Sequence, residues 1–348
     1  MRGFRDRDFV QTPEGFYFCV IGSVHPPERV ISYIKYVPSD SGVWGDKEHK
    51  FKRILQKYTI PDLLKTFQFI EENYPHYLFH SMENNITITA VPQKCIRTHF
   101  MPEKKLEKLR QTKQLDSLQE KLLRFTDFLA QISGVSLDSF GVTGSLLLDI
   151  HQPSFSDIDL IVYGVDDSWA LRNALTEHRG SETGMTYLQG EALQDWAIKK
   201  TQQYPLSAQD ALKMYERKWN LGFFENKYVS IHPVKLENEV TENYGDNTYT
   251  PMGQVIIQAV VLDNVDSLFL PATYKIKDVK FLSGPEISDI TEVVTYEGLY
   301  DSLAKNGETI QIKGKLEKVT EKTKNQQHYR VVVGSAEGKG TEYIKIVE

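Results

Sequence analysis

The stretch GSLLLDIHQPSFSDIDLIVYG, residues 144–164, decides how the chain is read. Residue 158 and residues 160–162 are apolar around Asp157 and Asp159, as expected of a buried strand that carries acids at its start. In an extended segment, side chains two residues apart project from one face, so these carboxylates stand roughly 7 Å apart by strand rise. At an effective dielectric of about 20, two unit charges at that separation repel by about 2 kcal/mol. A bound divalent cation reverses this cost, and an all-oxygen ligand set favours magnesium. Upstream, Gly144 lets the backbone approach a ligand closely. The amides and hydroxyl of Gly144 and Ser145 at a helix start are suited to a phosphate. The plain alternative is a strand-turn-helix-strand unit with a solvated acidic edge, and two aspartates inside so apolar a run argue against it.

A Gly-Ser turn, a gap of about a dozen residues and two acids flanking one apolar residue on a strand resemble the signature of the nucleotidyltransferase superfamily. That superfamily is typified by DNA polymerase β, poly(A) polymerases and CCA-adding enzymes. Gly144, Ser145, Asp157 and Asp159 match the pattern one by one. The flanking segments DRDFVQTPEGFYFCVIG near the start and GKLEKV near the end are similar to an archaeal family of predicted nucleotidyltransferases. The resemblance implies an enzyme that moves a nucleoside monophosphate from a triphosphate onto an RNA end or a protein hydroxyl. Magnesium is the implied cofactor, with manganese as a substitute, and a nucleoside triphosphate is the substrate. The alternative is an inactive relative that serves as an RNA- or nucleotide-binding scaffold. The run 146–148 departs from the CCA-adding enzymes, whose corresponding stretch carries an arginine, which disfavours a tRNA-end polymerase.

The superfamily's mechanism also implies a third carboxylate on a later strand. Here that strand reads KYVSIHPV, residues 227–234, where Tyr228, Ser230 and His232 share one face and no acid occurs. Three arrangements stay open: Glu225, Glu237 or Glu239 swings in from a flank, His232 takes the place as a metal ligand, or transfer is lost. Imidazole suits manganese or zinc better than magnesium. Among nearby basic residues (Lys199, Lys200, Lys213, Arg217 and Lys218), Arg217 and Lys218 are the candidates to meet the triphosphate, Arg217 through a bidentate contact. Asp149 and His151 lie closer to the motif in sequence and are expected to face solvent.

The 348 residues suffice for two or three domains, and 40% hydrophobic with 25% charged residues is a globular composition. No apolar run approaches the length of a membrane span, and the N-terminus MRGFRDRDF has no apolar leader segment, so the expectation is a cytoplasmic protein without a membrane partner. Two cysteines, Cys19 and Cys95, form no CxxC pair and read as core thiols. A net charge of -6 gives no general attraction to nucleic acid, so RNA binding would rest on local basic patches.

The expected class is α+β, a nucleotidyltransferase-like mixed sheet with helices. A β-rich N-terminal module (1–100) and a small OB-like C-terminal barrel (244–348) flank it, with a helical connector (101–134) leading into the central domain (135–243). Strands are expected at 16–21, 30–37 and 86–91, and a helix at 62–73. Lys50, Lys52 and Arg53 read as surface features, as does His25. Residues 103–132 carry one apolar stripe, with Lys104, Lys105, Lys108, Arg110 and Lys113 on a solvated face. In the central domain, helices are expected at 168–178 and 191–200, then one capped by Ser207 and Asp210 that Gly222 ends. Further strands are expected at 254–262, 273–276, 279–282, 309–318, 329–333 and 342–347.

Overall fold

A computed structural model describes residues 2–55, 60–180 and 184–347. The described residues form a mixed α+β fold with three sheets of eight, four and six strands. The four-stranded sheet holds the acid pair, in the order Leu221–Phe224, Lys227–Val234, Ile158–Tyr163, Phe140–Val142. The acidic strand runs parallel to Lys227–Val234, with Asp159 opposite Ser230 and Ile161 opposite His232, and antiparallel to Phe140–Val142. A parallel neighbour needs a crossover, and the helices Val165–Glu177, Gly190–Thr201 and Ala208–Arg217 lie within it.

Strand alternation then separates packing from chemistry. Ile158, Leu160 and Val162 turn to a core shared with Leu118, Leu122, Phe125 and Leu129 of helix Ser117–Ser133 and Leu171 and Leu175 of helix Val165–Glu177. Asp159, Ile161 and Tyr163 point the other way. The N-terminal module lies on that side: the Arg5 guanidinium is 5.0 Å from the Tyr163 ring centre, and the Thr143 hydroxyl donates to the Arg7 carbonyl at 2.7 Å. A second apolar cluster joins Phe9, Tyr17, Cys19, Tyr33 and Tyr36 of that module to Leu147, Leu148 and Ile150 just after the Gly-Ser turn.

The six-stranded sheet runs Asn247–Asp263, Ala272–Ser283, Ile290–Thr295, Gln326–Val333, Thr309–Glu321, Tyr343–Val347. Asn247–Asp263 also pairs with Thr309–Glu321, which brings the first five strands back on themselves, and the single parallel pairing is Ile290–Thr295 with Gln326–Val333. Among the described residues no helix is long and apolar enough to cross a membrane.

The structure corrects several local expectations. The stripe at 103–132 is two helices, Pro102–Gln111 and Ser117–Ser133, because Asp116 caps the second by accepting from the Leu118 and Gln119 amides at 2.8 and 3.0 Å. The helix capped by Ser207 and Asp210 ends at Arg217, and Gly222 lies in a strand, where the carbonyl of Thr186 leaves no room for a Cβ. Residues 273–276 and 279–282 belong to one strand, irregular at Asp278, where φ is 54°. Ile290–Thr295, where Thr291 is the one exposed residue and Val293 and Val294 stand side by side, lacks the alternation that marks a strand and was not expected as one.

Candidate active site

Gly144 opens the site. Its φ is +68°, and a Cβ there would stand 2.5 Å from Oδ2 of Asp159, so both conformation and space call for glycine. The Thr143 amide donates to the Asp159 carbonyl at 2.9 Å, which ties turn and acidic strand directly. Ser145 is buried in the short helix Gly144–Leu147 that follows.

Asp159 is held by the neighbouring strand. Ser230 Oγ donates to Asp159 Oδ1 at 2.5 Å, and His232 Nε2 stands 2.9 Å from Ser230 Oγ and 3.9 Å from the same carboxylate oxygen. The single hydroxyl proton goes to the carboxylate, so the imidazole is assigned as the donor to Ser230. Burial pushes the Asp159 carboxyl up, but His232, Ser230 and the Lys35 charge outweigh it and hold the group well below the usual carboxylate range. Burial and the nearby Arg7 charge push His232 down to about 4, against the pull of Asp159, so the ring is neutral at pH 7. Asp157 is opposite in character: it is exposed at the surface, yet partial desolvation by its neighbours and the charge of Asp159 push its carboxyl up to about 6, and Arg53, Lys227 and Lys35 relieve it only in part.

The loop between turn and acids is pinned along its length. Asp149 pairs with the buried Lys105, His151 Nε2 contacts Asp116 Oδ2 at 2.7 Å, and Lys227 Nζ donates to the Pro153 carbonyl at 3.1 Å. From the N-terminal module, the Gly45 amide donates to the Ile150 carbonyl at 2.7 Å, and Gln152 donates back to the Gly45 carbonyl. Asp149 keeps a largely exposed side chain, as expected, yet pairs with Lys105, which is buried rather than on a solvated face, and the His151 side chain is turned in against Asp116, so both connector helices clamp this loop.

The chain is 30% identical over 344 residues, 98% of each protein, to an uncharacterized protein of Methanocaldococcus jannaschii. The chain belongs to that protein's family. No protein-family profile matches it, and no solved structure does.

Arg217 and Lys218, expected at the triphosphate, are committed to the C-terminal module. Arg217 Nη1 bonds Glu308 Oε2 at 2.6 Å and the Leu303 carbonyl at 3.1 Å. Lys218 Nζ, with the residue only 2% exposed, bonds the Gly298 carbonyl at 2.6 Å and Asp301 Oδ1 at 2.5 Å. The flanking acids are committed too. Glu225 pairs with Arg124, Glu237 with Arg5, and Glu239 accepts from the Val165 and Leu236 amides. The parallel register leaves Ser230 beside Asp159, with His232 one pair further on. Among the described residues no three His, Cys, Asp or Glu side chains group to hold a metal ion by themselves.

Sequence reasoning missed Lys35 and Arg7, misplaced Arg53 at the surface, and put Ser230 on the right face without a role. Lys35 is the sole charge in the run VISYIKYV and only 5% exposed, within the strand Arg29–Pro38. A lone lysine in so apolar a strand was a readable signal of a buried charge with a task. Arg53, taken for a surface residue, packs its guanidinium 4.8 Å from the Trp44 ring centre on the side of the site.

Proposed function

We propose that this chain is a divalent-metal-dependent nucleotidyltransferase, which moves a nucleoside monophosphate from a triphosphate onto an RNA end or a protein hydroxyl. The observation that carries the reading is the fit of Gly144 against the carboxylate of Asp159, with Asp157 two residues earlier. The donor set suits one magnesium arriving with its triphosphate, since that ion is commonly held by one or two carboxylates together with phosphate oxygens and waters. Asp157 and Asp159 would hold it, and it would neutralise charge developing on the phosphates. Lys35 and Arg53 add positive charge on the same side. Ser230 and His232 fix the orientation and ionisation of Asp159. The acceptor hydroxyl oxygen forms a bond to the α-phosphorus and gives up its proton to solvent, the bond from that phosphorus to the β-bridging oxygen breaks, and pyrophosphate leaves. With its carboxyl raised to about 6, Asp157 is mostly ionised at neutral pH and would lose its residual proton when a cation binds.

The strand order of the C-terminal module, with its return pairing and one parallel contact, supports an OB-like barrel for the acceptor side. Two free cysteines accord with a cytoplasmic setting. One observation favours the second reading, a nucleotide-binding scaffold without transfer: Ser230 occupies the register position beside Asp159 where a third carboxylate was sought. Labelled ATP, GTP, CTP and UTP, offered with magnesium or manganese against total RNA and protein, separate the two. Incorporation lost in Asp157→Ala and Asp159→Ala supports the enzyme. Saturable binding without incorporation supports the scaffold, and full incorporation by the double variant contradicts both.

A further inference from the structure

Beside the acids lies an aromatic pair assembled from two modules. Trp44, in the two-residue strand Trp44–Gly45, and Phe155, two residues before Asp157, meet edge to face with ring centres 5.9 Å apart and planes at 81°. Phe155 is 47% exposed and the adjoining Val43 57% exposed, so the patch is apolar and open to solvent. Its backbone is fixed from both sides by the Gly45–Ile150 and Gln152–Gly45 hydrogen bonds and by Lys227 on the Pro153 and Ser154 carbonyls. A platform this firmly placed keeps its shape without a ligand.

Arg53 links the patch to the acids. Its guanidinium is 4.8 Å from the Trp44 ring centre and 5.6 Å from that of Tyr36. The same positive charge also acts on Asp157. An exposed Phe155 ring, a guanidinium against the Trp44 ring that buttresses it, and an acid pair that would reach phosphates through a divalent cation match in turn the three parts of a nucleotide: base, sugar-phosphate and metal-bound polyphosphate. A peptide side chain would satisfy the rings but not the cation and the acids together.

We infer that Phe155, buttressed edge to face by Trp44, is the nucleobase platform of the site, with Arg53 between base and polyphosphate. The inference rests on the proposed nucleotide-binding role of Asp157 and Asp159. It assigns recognition of the base to residues of the N-terminal module and the turn loop rather than to the C-terminal sheet. Stacking tolerates any base, so the platform sets affinity for a nucleoside over a bare polyphosphate more than choice among bases.

The test compares equilibrium binding of ATP, GTP, CTP and UTP with that of inorganic tripolyphosphate, all with magnesium, by the full chain. The wild type is expected to bind at least one nucleotide roughly tenfold tighter than tripolyphosphate. Phe155→Ala removes a half-exposed ring and Trp44→Ala a half-buried one, and each is expected to erase most of that preference while leaving tripolyphosphate binding unchanged. Phe155→Tyr and Trp44→Phe are expected to restore it, which a merely damaged loop would not allow. Equal weakening of both ligands, or an unchanged preference, overturns the platform. Binding of neither ligand by the wild type overturns the nucleotide-binding reading itself, and the platform with it; loss of both ligands only in Asp159→Asn leaves that reading standing whatever the aromatic variants do.

Discussion

Lys35 and Lys218 are both buried, 5% and 2% exposed, and serve different junctions of the molecule. Lys218 is close in sequence to the acidic motif's module, yet its ammonium closes the junction with the C-terminal module on the Gly298 carbonyl and Asp301. Lys35 is more than a hundred residues from Asp157, on another sheet, yet its charge acts on Asp157, Asp159 and His232. The difference teaches that proximity along the chain misassigns cations, while the chemistry of the surrounding run does not. A lysine at a helix end finds carbonyls. A lone lysine inside an apolar strand is buried at a cost, and here an acid pair offsets it.

Substitutions that exchange these roles break or sharpen the contrast. The largest expected effect is at Asp159: Asp159→Asn lowers magnesium-nucleotide affinity by roughly a hundredfold or more, beyond the loss typical of outer-shell partners, as titration calorimetry would show. Lys218→Met, at the other junction, strips Asp301 of a buried partner and destabilises the fold by about 3 kcal/mol in denaturant unfolding, yet leaves that affinity unchanged. A matching loss of nucleotide affinity in Lys218→Met would erase the distinction. Lys35→Met is expected to weaken inorganic tripolyphosphate binding roughly tenfold, the effect of a lost charge-assisted contact, with a smaller change in unfolding than Lys218→Met.

The pH dependence follows from Asp157. Its carboxyl is raised to about 6 in the folded chain, against roughly 3.9 in an unfolded one, so protonation favours the folded state. That contribution is fully present below about pH 4 and fades as pH rises through about 6. The difference in melting temperature between wild type and Asp157→Asn should shift in that window and level off above pH 7. Cation binding runs the other way, since the ion needs the ionised group: manganese affinity should climb between pH 5 and 7 and then plateau. A flat profile would show that Asp157 does not ligate. The smallest effect is at Ser230, where Ser230→Ala removes one hydrogen bond to Asp159 and should cost manganese affinity about fivefold.

The motif strand, its turn and its parallel neighbour were legible because alternation, glycine and paired acids are local signals. Gly144 and Asp159 were found together for that reason, and the Ser207–Asp210 capping box was read for the same reason. What stayed hidden is long-range. Nothing near Arg217 announces Glu308, and nothing near Asp149 announces Lys105 from another helix. The third position of the site was readable as a face with Ser230 and His232 and no acid, but the register that sets Ser230 beside Asp159 and the partners that hold Glu225, Glu237 and Glu239 were not.

One titration tests the central claim most directly: manganese bound per chain, followed by electron paramagnetic resonance with and without ATP, in wild type and in Asp157→Asn/Asp159→Asn. One ion per chain is expected in the wild type, bound more tightly with ATP and lost in the double variant, while thermal unfolding shows both proteins folded. Equal manganese and ATP binding by the two would contradict it.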